Sequence, residues 1–333
     1  MEIVYFEPKH YEELLAFSKK EWPQKPEEYL RYRLFQIPEN IEESRFNFMV
    51  VNDEGKIIGC SLYMPTKARI KGKEERIHWC HDVVVEEQYR GAAGLLLLIE
   101  QGEIKSSFGF GNSEINFRIQ KELGTKYIGA ASHYLLFNFW SYKLLLHKLK
   151  LIKKPAADKY IFPDKLKIGR CKFRKISNVD ELNIPDNGYW SDSSVDIECV
   201  RDRHFLKNRF FENFIKYHFY KLEPDDASKH DECYFVVRPS TEGGFPVLSI
   251  VDFRFNLKKP EQFQLIFKAA AKIGISNRFP LVTLRTSVKY KKFNLYPLIY
   301  RTASQQHIVG FPYEPNLRLF VTNADSDADF LDM

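Results

Sequence analysis

The chain has 333 residues, of which 44% are hydrophobic and 28% charged, with a formal net charge of +6. This length is typical of two domains of ordinary size, and the apolar fraction excludes an intrinsically disordered chain. The basic excess is too small to indicate DNA binding, although it suits a small anionic ligand.

Cysteine usage and the N-terminus predict a cytoplasmic protein. The five cysteines are scattered and form no CxxC spacing, so we expect neither a disulfide framework nor a zinc site. The first residues carry acids where a secretory signal peptide carries bases. The longest apolar stretch, residues 127–146, contains His133, Asn138 and Lys143, and these polar groups argue against a transmembrane helix.

The first half of the chain predicts a mixed α/β fold with a largely antiparallel sheet and one crossover. In chain order, the predicted elements are a strand at 2–7, helices at 10–20 and 27–36, strands at 46–52, 57–66 and 75–85, a buried helix from Leu95, a strand at 108–111, a helix at 114–123 and a strand at 126–137.

The second half predicts a weaker copy of the same order after a lysine-rich connection. Its predicted elements are a strand at 171–176, an aromatic amphipathic helix at 202–219, strands at 233–238 and 246–255, a helix at 261–273, and strands at 281–286, 300–309 and 318–322. The last acids, including Asp325, lack the central glycine of a calcium loop, so they predict an acidic tail and no metal site.

A loop of small residues joins the third strand of the meander to the buried helix. It follows the β-branched run Val83, Val84 and Val85 and reads Gln88, Tyr89, Arg90, Gly91, Ala92, Ala93, Gly94. The first amides of a helix have no helical acceptors, and the macrodipole adds about half a positive charge, so they attract phosphate. Small side chains would let a pyrophosphate approach the main chain. The alternative is a turn that only lets the helix pack tightly.

This loop and its setting resemble the GNAT acyl-CoA N-acyltransferase superfamily. The family signature [Q/R]-x-x-G-x-[G/A] at this junction is filled by Gln88, Gly91 and Ala93, and Tyr89-Arg90-Gly91 matches its frequent Tyr-Arg-Gly form. Gly94 stands where the family usually has an aliphatic residue. The corresponding junction of the second half, residues 255–260, has no glycine. The chain therefore resembles Fem-like and other two-domain GNAT proteins with one competent cofactor site.

The resemblance predicts an α/β fold with a mixed sheet, a GNAT fold in the N-terminal half and a degenerate GNAT-like copy in the C-terminal half. The predicted domains are residues 1–147, which would bind acyl-CoA, a linker at 148–167, and residues 168–333, which would complete the acceptor cleft.

Acetyl-CoA, or another acyl-CoA, is the co-substrate that the resemblance implies. Its pyrophosphate would lie on the amides of residues 89–94. Its thioester would lie in a splay between the two central strands, polarised by a backbone N–H near Val83 to Val85. Asn112 and Asn116 could hydrogen-bond the pantetheine arm.

Direct attack by an acceptor needs a base, and an acid would assist the leaving thiolate. The favoured bases are Asp82 and His81; strand alternation predicts His78, Cys80 and Asp82 on one face. Glu86 and Glu87 are expected at a solvated strand end. The candidate acids are Tyr127 and Tyr134.

The predicted function is acyl transfer from acyl-CoA to an amine or hydroxyl of a small or sugar-like acceptor. The alternatives are a Fem-like transferase that uses aminoacyl-tRNA, and a non-catalytic ligand-binding protein on a vestigial GNAT fold. The aromatic and basic segment 135–150 could also lie on a membrane surface as a peripheral contact.

Overall fold

The structure is a computed structural model, and it describes residues 1–110, 114–151, 159–191, 194–223, 231, 233–242, 244–288, 299–310, 314 and 317–325. The strands of these residues are β1 (Glu2–Tyr5), β2 (Phe48–Val51), β3 (Ile57–Ile70), β4 (Lys73–Val85), β5 (Ser107–Phe110), β6 (Lys126–Phe137), β7 (Lys165–Ile168), β8 (Cys171–Ile176), β9 (Ile197–Cys199), β10 (His218–Leu222), β11 (Cys233–Glu242), β12 (Phe245–Phe255), β13 (Leu281–Thr286), β14 (Ile299–Gly310) and β15 (Leu319–Phe320). The α-helices are α1 (Tyr11–Glu21), α2 (Glu27–Arg31), α3 (Pro38–Glu42), α4 (Ala92–Glu103), α5 (Glu114–Glu122), α6 (Tyr142–Lys148), α7 (Arg203–Leu206) and α8 (Glu261–Ser276).

Tertiary contacts divide the chain into two compact units. The first consists mainly of Met1–Ala130 and Gln306–Arg318, and the second mainly of Ala131–Gln305 and Leu319–Asp325. Each unit therefore includes chain from both predicted halves. The predicted domains 1–147, 148–167 and 168–333 follow a sequence repeat rather than contacts, and they stay a prediction.

The sheet of the first unit has the strand order β1-β2-β3-β4-β5-β14. Its pairs are antiparallel except β4 with β5, which are parallel. A parallel pair needs a crossover connection, and α4 supplies it.

Helices cover both faces of this sheet. On β2, Met49 and Val51 pack with Leu14 of α1 on one face. Phe48 and Val50 alternate with them and pack with Ala93 and Leu97 of α4 on the other face. The predicted burial of the apolar run holds for Leu97 and Leu98, which are buried, but it is wrong for Leu95 and Ile99, which are 50% and 47% exposed.

The sheet of the second unit has the order β6-β13-β12-β11-β10-β8-β7. Its run β10-β11-β12-β13 has two antiparallel pairs and then a parallel one, with α8 as the crossover. The run β2-β3-β4-β5 of the first unit has the same order of pairings around α4. The predicted mixed α/β class and the repeat in the second half are therefore confirmed.

One predicted helix of the second half is wrong. The segment 202–219 forms α7 and a π-helical turn, Lys207–Phe211, and then leaves the helix before β10. Phe219 and Tyr220 pair with β8 on one side and β11 on the other. The aromatic residues satisfied a helical period, but the sheet provides two neighbouring strands for them, and packing overrides local pattern.

The prediction of an acidic tail is wrong for Asp325. This residue is 1% exposed, and its Oδ1 lies 2.6 Å from Nη2 of Arg201, which is fully buried. Asp327, Asp329 and Asp332 lie outside the described residues. Asp325 is a structural ion-pair partner in the core of the second unit.

Candidate functional site

The loop singled out by the sequence leads into the N-terminus of α4. Glu87–Tyr89 form a 3-10 turn, Arg90 and Gly91 are already helical in φ and ψ, and α4 begins at Ala92. Leu95 has the first α4 amide with a backbone acceptor among the described residues, the Gly91 carbonyl at 3.2 Å. The amides of Tyr89 and Arg90, which were predicted to hold the pyrophosphate, already donate to the carbonyls of Glu86 at 2.9 Å and Glu87 at 3.4 Å. The amides of residues 91–94 are available to an anion.

The two glycines of this loop are not required by packing. A Cβ on Gly91 or Gly94 would meet nothing within 4 Å, and Gly91 has an ordinary helical φ of −66°. The glycine that permits close packing here is Gly59 on β3, where a Cβ would lie 3.2 Å from Cγ2 of Val85 and 3.4 Å from Cδ1 of Leu97. Close packing between strand and helix therefore requires a glycine at position 59, and not at positions 91 and 94 of the loop. The space in front of Gly91 and Gly94 is open and can admit a ligand.

The two central strands of the first unit, β4 and β5, pair in parallel before this loop. The parallel β4–β5 pairing runs from His78 with Ser107 to Cys80 with Gly109. In the described part of β5 no pairing continues beyond Cys80, although β4 extends to Val85. The structure describes this part of the chain only to Phe110, so the splay predicted from the family resemblance along residues 81–85 stays a prediction.

A β-bulge lies in β4 just before residues 82–85. On β3, Leu62 pairs with Asp82 and the next residue, Tyr63, pairs with Cys80, so His81 is the extra residue. The described part of the structure includes the backbone of His81 and not its side chain. Bulges re-aim side chains and are over-represented beside active sites.

The backbone amides near the end of β4 point alternately toward β3 and away from it. The N–H of Glu86 donates to Ile58 of β3 at 2.9 Å. Since N–H groups of alternate residues point the same way along a strand, Val84 also points toward β3. The amides of Val83 and Val85 then point toward the β5 edge, where a thioester oxygen would need a donor.

Asp82 lies in a buried ionic cluster with residues of the α2 region. Its Oδ1 accepts from Nζ of Lys25, and its Oδ2 accepts from the Tyr29 hydroxyl at 2.5 Å and from Nη1 of Arg33 at 3.1 Å. The side chains of Asp82, Lys25 and Arg33 are at most 3% exposed. Both oxygens of the carboxylate are already bonded by these three side chains, so this geometry favours a structural role for Asp82.

The predicted shared face of Cys80 and Asp82 is wrong. Cys80 packs with Val85 and Ala93 on the α4 side, whereas Asp82 points to the α2 side. The bulge at His81 inserts one residue and so interrupts the strict alternation. Burial raises the pKa of the Cys80 thiol to about 12, so Cys80 remains a protonated core residue.

Glu86, expected at a solvated strand end, is 4% exposed. Its Oε1 lies 2.7 Å from Nζ of Lys20, and Gln88 donates to its other oxygen at 3.3 Å. The hydrogen bond from Lys20 lowers the pKa of Glu86 below its usual value. Glu86 therefore ties the strand end and the start of the loop to α1, while Glu87 is exposed.

A buried hydrogen-bond network under α4 was missed at the sequence level. Nε2 of Gln101 donates to Oγ of Ser61 at 3.0 Å and to Sγ of Cys80 at 3.2 Å, and its Oε1 accepts from Gln120 at 3.3 Å. Gln101 follows Ala93 and Leu97 at four-residue spacing. A glutamine on the inward face of an apolar helix could have indicated a buried hydrogen-bond network from the sequence.

The candidate acid Tyr134 lies in the core of the second unit. Tyr134 is 1% exposed, packs edge-on against Phe267 in the second unit, and donates its hydroxyl to the Val288 carbonyl at 3.3 Å. Asn116 is half-buried in α5, and Asn112 lies outside the described residues. The contacts of Tyr134 are those of a core residue.

The crossover of the second unit starts differently. The N–H of Gln262 donates to Lys259, and that of Phe263 donates to Pro260 at 3.2 Å. Glu261 adds a negative charge to the first turn of α8. These amides are already engaged and the carboxylate would repel phosphate, so an anion site is favoured only at α4.

The described residues show neither a metal-ion cluster nor a membrane-spanning helix. No group of three or more His, Cys, Asp or Glu side chains in the described residues is arranged to hold a metal ion. In the same residues, no helix combines the length and apolar character needed to cross a bilayer.

Solved structures of N-acyltransferases share this fold. N-myristoyltransferase of Saccharomyces cerevisiae with bound myristoyl-CoA and inhibitors aligns with a TM-score of 0.63 and 12% identity, over 98% of this chain and 86% of that chain. A GCN5-related N-acetyltransferase from Anabaena variabilis aligns with a TM-score of 0.57 and 13% identity, over 92% and 71%. A probable N-acyltransferase from Enterococcus faecalis aligns with 0.56 and 12%, over 92% and 71%.

Sequence comparison adds no closer relative, since no protein-family model and no curated protein matches the chain. At 12–13% identity the structural likeness establishes the GNAT fold across nearly the whole chain.

Proposed function

We propose that the first unit binds acyl-CoA and transfers its acyl group to an amine or hydroxyl. The observation that carries this proposal is the position of the free amides at the start of α4. They follow directly on the end of β4 in the chain. A coenzyme that carries a pyrophosphate and a thioester on one flexible arm could place the first on these amides and the second beside the end of β4.

The pyrophosphate would lie against Gly91–Gly94, where backbone N–H groups and the helix dipole favour negative charge. The absence of side chains on Gly91 and Gly94 permits that approach. Arg90, which is exposed, can reach a phosphate oxygen as a second source of positive charge.

The thioester would lie along residues 81–85, with its carbonyl oxygen near the amides of Val83 and Val85. These donors would stabilise the charge that develops on oxygen as the acceptor nitrogen or oxygen attacks the carbonyl carbon. The C–S bond then breaks and coenzyme A leaves as a thiolate. The proton of the acceptor passes to a base, for which His81 is the candidate that remains after Asp82.

We favour an acetyl group and a small or sugar-like acceptor in the cytoplasm. Comparing coenzymes with short and long acyl chains tests the choice of acetyl, since a pocket that accepts only acetyl should exclude longer chains sterically.

Isothermal titration with acetyl-CoA, and in parallel with myristoyl-CoA, tests the proposal. We expect sub-millimolar binding of one of them by the intact chain. Gly91→Glu should abolish that binding, because its carboxylate would occupy the phosphate position. Gly102→Glu is the matched control: it is on the same helix, and a Cβ there also meets nothing within 4 Å.

Failure of the intact protein to bind either coenzyme would overturn the proposal. So would equal affinity of the Gly91→Glu and Gly102→Glu variants, since the coenzyme would then lie elsewhere. Binding of tRNA with a steep salt dependence, in place of coenzyme binding, would favour the aminoacyl-tRNA alternative instead.

A further inference from the structure

A short helix of the second unit has its apolar side toward solvent. Phe139–Ser141 form a 3-10 turn that continues into α6. The exposed apolar side chains of this segment and the residues after it are Phe139 (78% exposed), Tyr142 (46%), Leu145 (59%), Leu149 (57%) and Leu151 (68%). Scattered exposed apolar residues are ordinary, but a row of five within thirteen residues indicates an interaction surface.

The row follows the helix periodicity. Tyr142, Leu145 and Leu149 are spaced by three and four residues, so they share one face of the helix. Amphipathic helices of soluble proteins normally turn such a face to the core. Here the pattern is reversed, with the apolar face outward.

The opposite side of this segment fixes it to the second unit. The Trp140 indole N–H donates to the Ile275 carbonyl at 3.0 Å, and the Ser141 hydroxyl donates to the Pro280 carbonyl at 2.6 Å. The His147 ring packs edge-on against Phe245 at 4.4 Å. The apolar row is therefore held on the protein surface by specific contacts.

Cations lie within and beside the segment that carries the row. Lys143 Nζ lies 4.7 Å from the centre of the Trp140 ring, and the Arg278 guanidinium lies 5.6 Å from it. Lys148 and Lys150 are exposed at the C-terminal end of the segment. Residues 123–157 contain no Asp or Glu, so no acid of this stretch offsets these charges.

We infer that this surface docks the protein on an anionic lipid bilayer. An apolar helical face with aromatic residues and flanking lysines is the pattern of helices that lie in the plane of the membrane interface. Lysine stems can lie along the acyl boundary while their ammonium groups contact anionic headgroups. A second copy of this chain fits less well, because a two-fold contact would bring identical basic edges together. The inference does not depend on the proposed activity.

Vesicle co-sedimentation of the full chain tests the inference. The protein should bind vesicles of equal parts phosphatidylcholine and phosphatidylglycerol, bind phosphatidylcholine alone more weakly, and be released by high salt. Leu145→Glu with Leu149→Glu should abolish binding. Lys148→Gln with Lys150→Gln should weaken it about 25-fold, at about fivefold per lysine.

Ile41→Glu is the matched control, because Ile41 is an apolar residue of the first unit with a similar exposure of 53%. It should bind vesicles like the unsubstituted chain. Absence of vesicle binding, or unchanged binding by both double variants, would overturn the inference. A dimer in sedimentation analysis that Leu145→Glu with Leu149→Glu converts to a monomer, without vesicle binding, would also overturn it and assign the surface to a second copy.

Discussion

Asp82 and Asp252 occupy equivalent points in the two β-α-β crossovers. Each pairs next to a register shift that leaves one extra residue before it, His81 in β4 and Val251 in β12. Each lies three residues before its strand ends. The repeat between the halves thus extends to single residues that the element order alone did not reveal.

The surroundings of the two carboxylates also correspond. Asp252 is fully buried, bonded by Arg201 at 2.9 and 3.1 Å and by the Tyr234 hydroxyl at 2.8 Å. Burial by itself would raise the pKa of Asp252, but Arg201 and Arg254 outweigh it and hold the pKa near 2. Asp82 has Lys25, Arg33 and Tyr29 in the same roles. Because the second unit keeps this arrangement without an open amide loop, the arrangement serves the fold.

The first prediction concerns this role of Asp82. Asp82→Asn should lower the free energy of unfolding by about 3–5 kcal/mol, because Lys25 and Arg33 would be left buried without a counter-charge. Urea denaturation measures this change, and Asp53→Asn, at an exposed carboxylate, should give no measurable change. A variant of unchanged stability that has lost acyl transfer would instead identify Asp82 as the general base.

The second prediction separates the packing glycine from the ligand glycine. Gly59→Ala should destabilise the chain by about 1–3 kcal/mol, because its Cβ would press on Val85 and on the Val84 carbonyl. Gly91→Ala should be neutral or stabilise it by up to about 1 kcal/mol, since its Cβ meets open space and its φ is helical. Thermal unfolding of both variants measures the two changes in stability. Equal destabilisation by Gly59→Ala and Gly91→Ala would contradict the open space in front of Gly91.

The third prediction tests the backbone donors near the end of β4. Val83→Pro removes an amide that points away from β3, so it should leave the β3–β4 ladder intact. We expect turnover to fall about 10²–10³-fold with little change in coenzyme affinity. Thiol release from acetyl-CoA with glucosamine or spermidine as acceptor reports turnover. Val84→Pro removes a ladder bond and should unfold the sheet, so similar behaviour of the two variants would refute the assigned amide directions.

The fourth prediction concerns acid stability. Burial, and then the charges of Lys175 and Lys216, lower the pKa of His218 from its usual 6.5 to about 4. The unfolded chain therefore binds this proton first as the pH falls, and stability should decrease between pH 6.5 and 4 by up to about 3 kcal/mol. His218→Phe should flatten this part of the pH profile of the urea midpoint, whereas the exposed His204→Gln should not. An unaltered slope in His218→Phe would show that other groups cause it.

What the sequence predicted correctly is mostly local. The strand β6 and the strand β8 have the predicted ends, and the loop before α4 has the predicted position. A strand is marked by its own alternation, and a phosphate loop by adjacent small residues, so neither needs knowledge of distant chain.

The features that the sequence did not predict depend on residues that are far apart in the chain. The bulge at His81 exists only relative to β3, since the register of the partner strand defines it. Lys25 and Arg33 reach Asp82 across 57 and 49 residues of sequence. The predicted helix at 202–219 ends early because Phe219 and Tyr220 pair with β8 and β11. Such relations arise from tertiary contacts, which a single sequence does not display.

The amide of Gln101 has a consequence for how a coenzyme would be received. It holds α4 to β3 through Ser61 and to β4 through Cys80. Sliding or tilting of this helix would leave the Gln101 amide buried without its hydrogen-bond partners, which would cost free energy. The recess at its N-terminus is thus stiff before anything enters it, so the loss of conformational freedom on association falls mainly on the incoming pantetheine chain.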